Sequence, residues 1–307
     1  MIRELLTQLD IPVNDNTQIA SARFCTRWQQ LGGGDLAVRR VTAKDLSALQ
    51  ELIHSVNWQV ADADINAILE HGELWVLTCN KKFISSAGWV EHGGDRAWMV
   101  LVTTRPQWRG CSAATLMMYK ALKSCQNYSK RMLDASNMGE NVYRRIGFKD
   151  CARVDFYEIE PSAPLPAPAQ HNWQPMEKSH FPLPGSLPDD PAIKLLFERA
   201  PELCYVAKQD GRIAAWFIGR EKTSHIHIGP IYAQQPDMAV DAVFFMRNLQ
   251  PERKITLDVF AEETFLVENL KKLSAAFHHS HVRMYYASQP VPRAGENIRS
   301  SAGPDFG

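Results

Sequence analysis

The sequence predicts an α/β protein made of two successive units, each a sheet with helices against it. Three observations carry that reading. Trp98 to Val102 is an apolar run short enough for a buried strand, and beyond a turn holding Arg109 and Gly110 the spacing of Leu116, Met117, Lys120 and Ala121 turns helical. Prolines crowd the stretch from Pro161 to Pro191, where neither an ordinary helix nor a central strand persists, so that it reads as a semi-rigid linker or a strap laid over the surface. Beyond it, the order of strands and helices begins again.

Taken in order, Glu4, Leu5, Leu6 and Leu9 suit a short amphipathic helix, and Ile19 to Leu31 suit a second before Gly32, Gly33 and Gly34 break the pattern. This extension either packs on the domain or mediates assembly, as in a homodimer. Val38 to Val41 is a strand, and Leu46 to Val56 a helix with Leu46, Leu49, Leu52 and Ile53 inward. Trp58 falls in a loop before a helix carrying Ile65, Ile68 and Leu69. Phe83 to Val90 and Ala97 to Val102 pair across Glu91 to Asp95, a glycine-containing hairpin. Pro106 stops the organising strand. Met132 to Ala135, a helix ending at Ile146, and closing strands from Phe148 to Ile159 complete the first half. In the second, Leu195 to Arg199 is helical, and Cys204 to Lys208 pairs with Ile213 to Arg220 around Asp210 and Gly211. His225 to Ala233, Lys254 to Val259 and Val282 to Ala287 read as strands, Met238 to Leu249 and Thr264 to Phe277 as helices.

Composition bounds the partners. Among the 307 residues, 34 basic side chains balance 34 acidic ones, so no global field recruits nucleic acid or an anionic membrane. No window approaches the ~20 apolar residues of a membrane span. The expectation is a soluble, cytoplasmic protein. Cys25, Cys79, Cys111, Cys125, Cys151 and Cys204 form no Cys-x-x-Cys pair and read as reduced, buried thiols. Cys111 is the exception worth attention, because a helix start and Arg109 would lower its pKa; the alternative is a spacer whose thiol has no role. Asp62, Asp64 and Glu73 imitate a calcium loop, yet Ala67 stands where that turn requires glycine. His225 and His227, and the cluster of His278, His279 and His281, lack further ligands at zinc spacing. No metal is expected.

At the start of the helix beginning at Ala113, several backbone N–H groups lack intrahelical partners and favour an anion; a pyrophosphate would fit. The residues there, Arg109-Gly110-Cys111-Ser112-Ala113-Ala114, resemble the (Gln/Arg)-x-x-Gly-x-(Gly/Ala) loop with which GNAT-superfamily (GCN5-related) N-acetyltransferases hold the pyrophosphate of coenzyme A. Ser112 stands where the family usually has glycine. Leu133 to Asn137, then Asn141 to Phe148 with Tyr143 and Gly147-Phe148, are similar to the strand, asparagine turn and terminal helix of the same superfamily. Val38 to Val41 with Asp45 and Leu46, and Trp75 to Leu77 with Ser86 to Trp89, resemble its earlier elements. The resemblance covers roughly residues 36 to 160. Ile228-Gly229-Pro230, Leu257-Asp258-Val259, Arg283-Met284-Tyr285 and the run Gly303 to Gly307 resemble the second domain of a tandem acetyltransferase subgroup.

The resemblance implies two tandem GNAT-like domains, each a mixed, mostly antiparallel twisted sheet flanked by helices. It divides the chain into an extension (1–35), a catalytic domain (36–160), a proline-rich linker (161–191), and a C-terminal domain (192–307) without a coenzyme A loop, since Tyr232 to Asp237 offers no Arg-Gly turn. The implied activity is transfer of acetyl from acetyl-CoA to the amine of a small acceptor. Val102, Thr103 and Thr104 would donate backbone N–H groups to the pantetheine arm or thioester carbonyl; Arg109, Gly110, Cys111, Ser112, Ala113 and Ala114 would hold the pyrophosphate. Tyr143 would be the acid for the departing thiolate, its ordinary pKa of ~10 keeping it protonated. Asn137 either meets the cofactor or caps its own helix. Trp58, Asp64 and Glu91 are the acceptor-side candidates, with His92 and Asp95 as further bases; Trp58 reads equally as a core anchor. The rival reading, motivated by Ser112, is a GNAT-like sensor or scaffold without catalysis.

Overall fold

Asn14 opens the first long helix with a capping box: its side chain accepts from Thr17 N at 3.0 Å, while Thr17 Oγ1 accepts from Asn14 N at 2.9 Å. The computed structural model describes residues 2–187, 190–222, 224–304 and 306; Pro188 of the proline-rich stretch and Asp305 and Gly307 of the final run lie outside the described residues. In chain order the elements are α1 (Ile2–Leu9), α2 (Asp15–Gln30), β1 (Leu36–Arg40), α3 (Leu46–His54), α4 (Asp62–His71), β2 (Gly72–Cys79), β3 (Lys82–His92) and β4 (Arg96–Thr104). Then follow α5 (Ala113–Ser124), β5 (Lys130–Ala135), α6 (Glu140–Arg145), β6 (Lys149–Ile159), β7 (Trp173–Pro175), α7 (Pro191–Arg199), β8 (Cys204–Gln209) and β9 (Arg212–Glu221). The chain closes with β10 (Ile226–Ala233), α8 (Pro236–Leu249), β11 (Ile255–Phe260), α9 (Thr264–Lys272), β12 (Ala276–Tyr286) and β13 (Ile298–Ser301).

Two compact units result. The first gathers the chain up to Glu91, Asp95–Arg131 and Asn141–Gly147. Its strands run β1-β2-β3-β4, with β1 antiparallel to β2 and β2 to β3. α5 packs on β2 and β4, and α2 packs on α5. Leu5, Leu6 and Leu9 are buried, so the amphipathic reading of α1 holds, and Phe24 of α2 stacks on Trp108 with centroids 5.5 Å apart.

The second unit holds His92–Gly94, Met132–Glu140 and the chain from Phe148 onward. Its strand order is β5-β12-β6-β11-β13-β10-β9-β8-β7, mostly antiparallel, with β10 and β11 parallel where Ile226 faces Ile255. β6 is one strand, antiparallel to β11 on one side and to β12 on the other. These pairings draw residues 148–160 into the second unit, whereas 36–160 was expected as one domain. Buried Phe217, Ile228, Met238, Val243 and Leu257 make the core under α8.

One local expectation changes. The helix expected to reach Phe277 stops at Lys272: Ser274 takes φ +57°, and from Ala276 the chain pairs with β6. His278, His279 and His281 therefore sit on a strand. Of the two readings of the proline-rich stretch, a semi-rigid linker or a strap, the structure has the strap: β7 within it pairs with β8, and buried Arg247 donates to Pro161 O at 2.7 Å and Ala163 O at 2.8 Å. Trp173 Nε1 donates to Asp241 Oδ2 at 3.0 Å, which satisfies both groups inside the apolar core. The acidic segment from Asp62 is helical, with Ile65 and Ile68 buried, so it is no calcium loop. Among the described residues, no helix is long and apolar enough to cross a membrane, and no group of three His, Cys, Asp or Glu is arranged to hold a metal.

Candidate functional site

Four hydroxyls tie β3 to the end of β4. Ser85 Oγ donates to Thr103 O at 2.8 Å and shares a 2.8 Å hydrogen bond with Thr104 Oγ1; Ser86 Oγ donates to Leu101 O at 2.7 Å and meets Thr103 Oγ1 at 2.5 Å. Leu101, at φ +49°, puts an irregularity in β4 immediately before Val102. Arg105 is buried and clamps the strand end, its Nε donating to Phe83 O at 2.6 Å and its guanidinium to Glu51 at 2.8 Å. Pro106 then begins a short 3-10 turn through Trp108.

The turn that follows is built for close approach. Gly110 has φ +73°, and a Cβ placed there would meet nothing within 4 Å. Ser112, the residue before α5, is also left-handed at φ 71°, ψ 13°, and its side chain makes no capping hydrogen bond. A left-handed serine costs about 1–2 kcal/mol relative to the ordinary region, which is the physical reason glycine suits that position. Ala113 is buried and Ala114 half-buried at the first turn of α5. Arg109 is exposed, and its Nε reaches Thr104 O at 3.4 Å. Beside this turn lies an open pocket of about 310 Å³ lined by Arg23, Thr26, Arg27 and Gln30 of α2 together with Gly110 and Cys111. An anion fits it.

Cys111 departs from the lowered-pKa expectation. Its thiol is buried and donates to Trp108 O at 2.9 Å; burial pushes the pKa up, outweighing the opposing pull of the Ala113 N–H and of Arg27. It is a packed spacer. Tyr143, on α6 in the same unit, is buried, and burial holds its phenol proton well above the ordinary range.

On the acceptor side the candidates separate. Trp58, 40% exposed, lies in the loop between α3 and α4, its N–H bonded to Ile53 O at 3.3 Å; it is no core anchor. Asp64 is buried in the first turn of α4. Glu91 lies at the hairpin end of β3, the opposite end of the β3–β4 pair from Thr104 and the turn, beside Tyr128, whose phenol pKa is raised by burial and then by Glu91. Asp95 is engaged with the Ser129 N–H. Asn137 is in the second unit, exposed, and caps nothing: Ser136 O, not the Asn137 side chain, receives Gly139 N at 2.8 Å and Glu140 N at 3.1 Å. Sequence reasoning missed Arg23 and Arg27. Their signal was two arginines four apart on the polar face of a helix whose other face is apolar.

The corresponding place in the second unit is shut. β10 carries an irregularity between Ile228 and Ile231, as β4 does at Leu101, but it passes into α8 through Gln234 and Gln235 alone. Pro236 then removes one of the first N–H groups of α8, and Arg299 donates to Ala233 O at 3.1 Å. Charges are sealed inside this unit instead. Arg283 grips Asp134 through two hydrogen bonds of 2.7 Å, both side chains being almost wholly buried. Asp258 lies next to them, its pKa raised to about 7 by burial and by the Asp134 charge. His227 is likewise buried, 3.2 Å from Thr256 Oγ1, and burial pushes its pKa well down; it is a hydrogen-bonded core histidine.

The family model for the acetyltransferase (GNAT) domain matches residues 194–299. Over 99 residues, 31% of this chain, the sequence is 27% identical to the cysteine-rich protein 2-binding protein of Mus musculus, and the match spans only 13% of that protein's length. Over most of its length the fold is similar to solved structures. A "Putative Acetyltransferase" of Pyrococcus horikoshii gives a TM-score of 0.70 at 15% identity, covering 89% of this chain and 96% of the other. A GCN5-related N-acetyltransferase from Sphaerobacter thermophilus gives 0.61 at 14%, covering 84% and 97%. A tandem GNAT protein from the clavulanic acid biosynthesis pathway gives 0.57 at 10%, covering 84% and 100%.

Proposed function

We propose that this chain, which has a GNAT domain in its second half and the fold of tandem GNAT proteins, moves acetyl from acetyl-CoA to the amine of a small-molecule acceptor by direct attack on the thioester. The observation that carries the reading is the turn from Arg109 to Ala114. Left-handed Gly110 and Ser112 shape the turn into the start of a twelve-residue helix, next to a pocket lined by arginines. Arg109 and these N–H groups would hold the pyrophosphate. Bound acetyl-CoA supplies the activated acyl group and a thiol leaving group.

The chain's own residues then have separate tasks. Backbone N–H groups near Val102 to Thr104 would support the developing oxyanion, held in place by the hydroxyl ladder from Ser85 and Ser86. Tyr143 keeps its proton at neutral pH because burial disfavours the phenolate; it would protonate the departing sulfur and regain its proton from the one released by the attacking amine, directly or through water. Trp58, exposed on its loop, supplies an apolar contact to the acceptor.

Calorimetric titration of the full chain with acetyl-CoA, followed by turnover with a panel of small amines, tests the reading. One site per chain and turnover of a small amine are expected. Saturable binding without turnover of any amine would favour the sensor reading. Acetylation of a folded protein as fast as the best small amine would overturn the acceptor class.

A further inference from the structure

The N-terminal extension lies outside the part of the chain that resembles acetyltransferases, yet it builds one wall of the pocket at the turn. Arg23, Thr26, Arg27 and Gln30 fall on one face of α2 at helical spacing, and all four line the pocket opposite Gly110 and Cys111. The other face of α2 is buried at Ala20, Ser21, Phe24 and Cys25, and the Phe24–Trp108 stack fastens it to the residues immediately before Arg109. The placement of the two arginines over the turn is therefore set by core packing.

Their charges lack an internal explanation. Neither guanidinium hydrogen-bonds or ion-pairs with any described residue, and like charges four apart on a helix repel. Arg39, Arg105, Arg153, Arg253, Arg283 and Arg293 by contrast each meet a carboxylate. Two free guanidiniums converging on an open pocket suit a doubly charged phosphate monoester, which planar fork donors grip well. Coenzyme A carries such a group on its ribose, separate from the pyrophosphate already matched to the turn.

Resting on the function proposed above, we infer that Arg23 and Arg27 form the subsite for the terminal phosphate monoester of coenzyme A, so that the extension is part of the cofactor site. The subsite distinguishes coenzyme A from its 3′-dephospho form. It also makes removal of α2 a loss of affinity as well as of packing.

Calorimetry on the full chain with coenzyme A and with 3′-dephospho-coenzyme A tests this, using wild type, the double variant Arg23→Gln/Arg27→Gln, the charge-keeping Arg23→Lys/Arg27→Lys, and Gly110→Glu. Wild type should prefer coenzyme A by about tenfold or more, the worth of a charge-assisted hydrogen bond or two. The glutamine variant should bind both ligands alike, its coenzyme A affinity about tenfold to a hundredfold down, with the lysine variant restoring part of the preference. A glutamine variant that keeps the wild-type preference, while Gly110→Glu abolishes binding, overturns the subsite and leaves the acetyltransferase reading standing. Absence of coenzyme A binding by wild type overturns both.

Discussion

The two units place their charges in opposite ways. In the first, the strand β4 reaches its helix through residues 105–112, and three arginines, Arg23, Arg27 and Arg109, stand at that turn with solvent access. In the second, β10 reaches α8 through Gln234 and Gln235, and the arginines have gone inward: Arg220 and Arg283 are buried near Asp134 and Asp258. An exposed cationic turn has binding capacity to spare. A buried ion-paired cluster has spent that capacity on its own neighbours and holds the interior together.

Breaking the turn of the first unit should have the largest effect. Gly110→Glu places negative charge where an anion is expected, and although nothing lies within 4 Å the left-handed backbone there strains any side chain; the two effects together should weaken acetyl-CoA by more than about a hundredfold in calorimetry. Gln235→Glu at the matching turn should leave affinity and stoichiometry unchanged. A loss with Gln235→Glu would move the cofactor to the second unit, where the family match lies.

Tyr143→Phe comes next. Turnover should fall by about a hundredfold or more, the usual worth of a positioned acid, with acetyl-CoA affinity nearly unchanged. Equal losses in rate and affinity would make Tyr143 a packing residue.

Asp258 sharpens the other side of the comparison. A carboxyl with a folded pKa near 7 and an unfolded one near 3.8 holds its proton more tightly when folded. Its contribution to stability is therefore complete below the unfolded value and is lost as pH rises toward 7, at up to about 1.4 kcal/mol per pH unit. Thermal melts of Asp258→Asn should show that variant gaining on wild type between pH 5 and pH 7.5. A constant difference would mean that the buried cluster does not titrate.

Ser112→Gly should have the smallest effect. Relief of the left-handed serine is offset in part by the entropy of glycine, leaving a gain of about 0.5 kcal/mol in denaturant unfolding. Any tightening of acetyl-CoA binding should be small.

What was legible in the sequence was what neighbouring residues decide. Pro106, Gly110 and the apolar spacing from Ala113 specify a strand end, a turn and a helix locally, and the structure has them there. Phe277 was misplaced because pairing with β6, distant in sequence, overrides the helical spacing that continues past Lys272. For Cys111 the sequence offered both a lowered pKa and a spacer without a thiol role, and the structure has the spacer: the helix start and Arg109 are visible locally, but the burial that raises the pKa comes from packing. The proline count correctly excluded an α-helix from the described residues between 161 and 190 but could not reveal that Trp173 finds Asp241 as a partner. Arg23 and Arg27 showed only as a basic pair on a helix face, because the Phe24–Trp108 stack that brings α2 to the turn is a tertiary contact.

The position of β6 has a consequence for the continuity of the molecule. Val154 to Ile159 pair with Phe260 to Ile255 on one edge, and Lys149 to Glu158 with Tyr285 to Ala276 on the other. A protease nick in the proline-rich stretch just after it would sever the chain without separating the fragments, which would stay laced together by two main-chain ladders. Synthesised apart, each fragment would expose bare strand edges that solicit other copies, so residues 148–160 need the strands that follow them to fold.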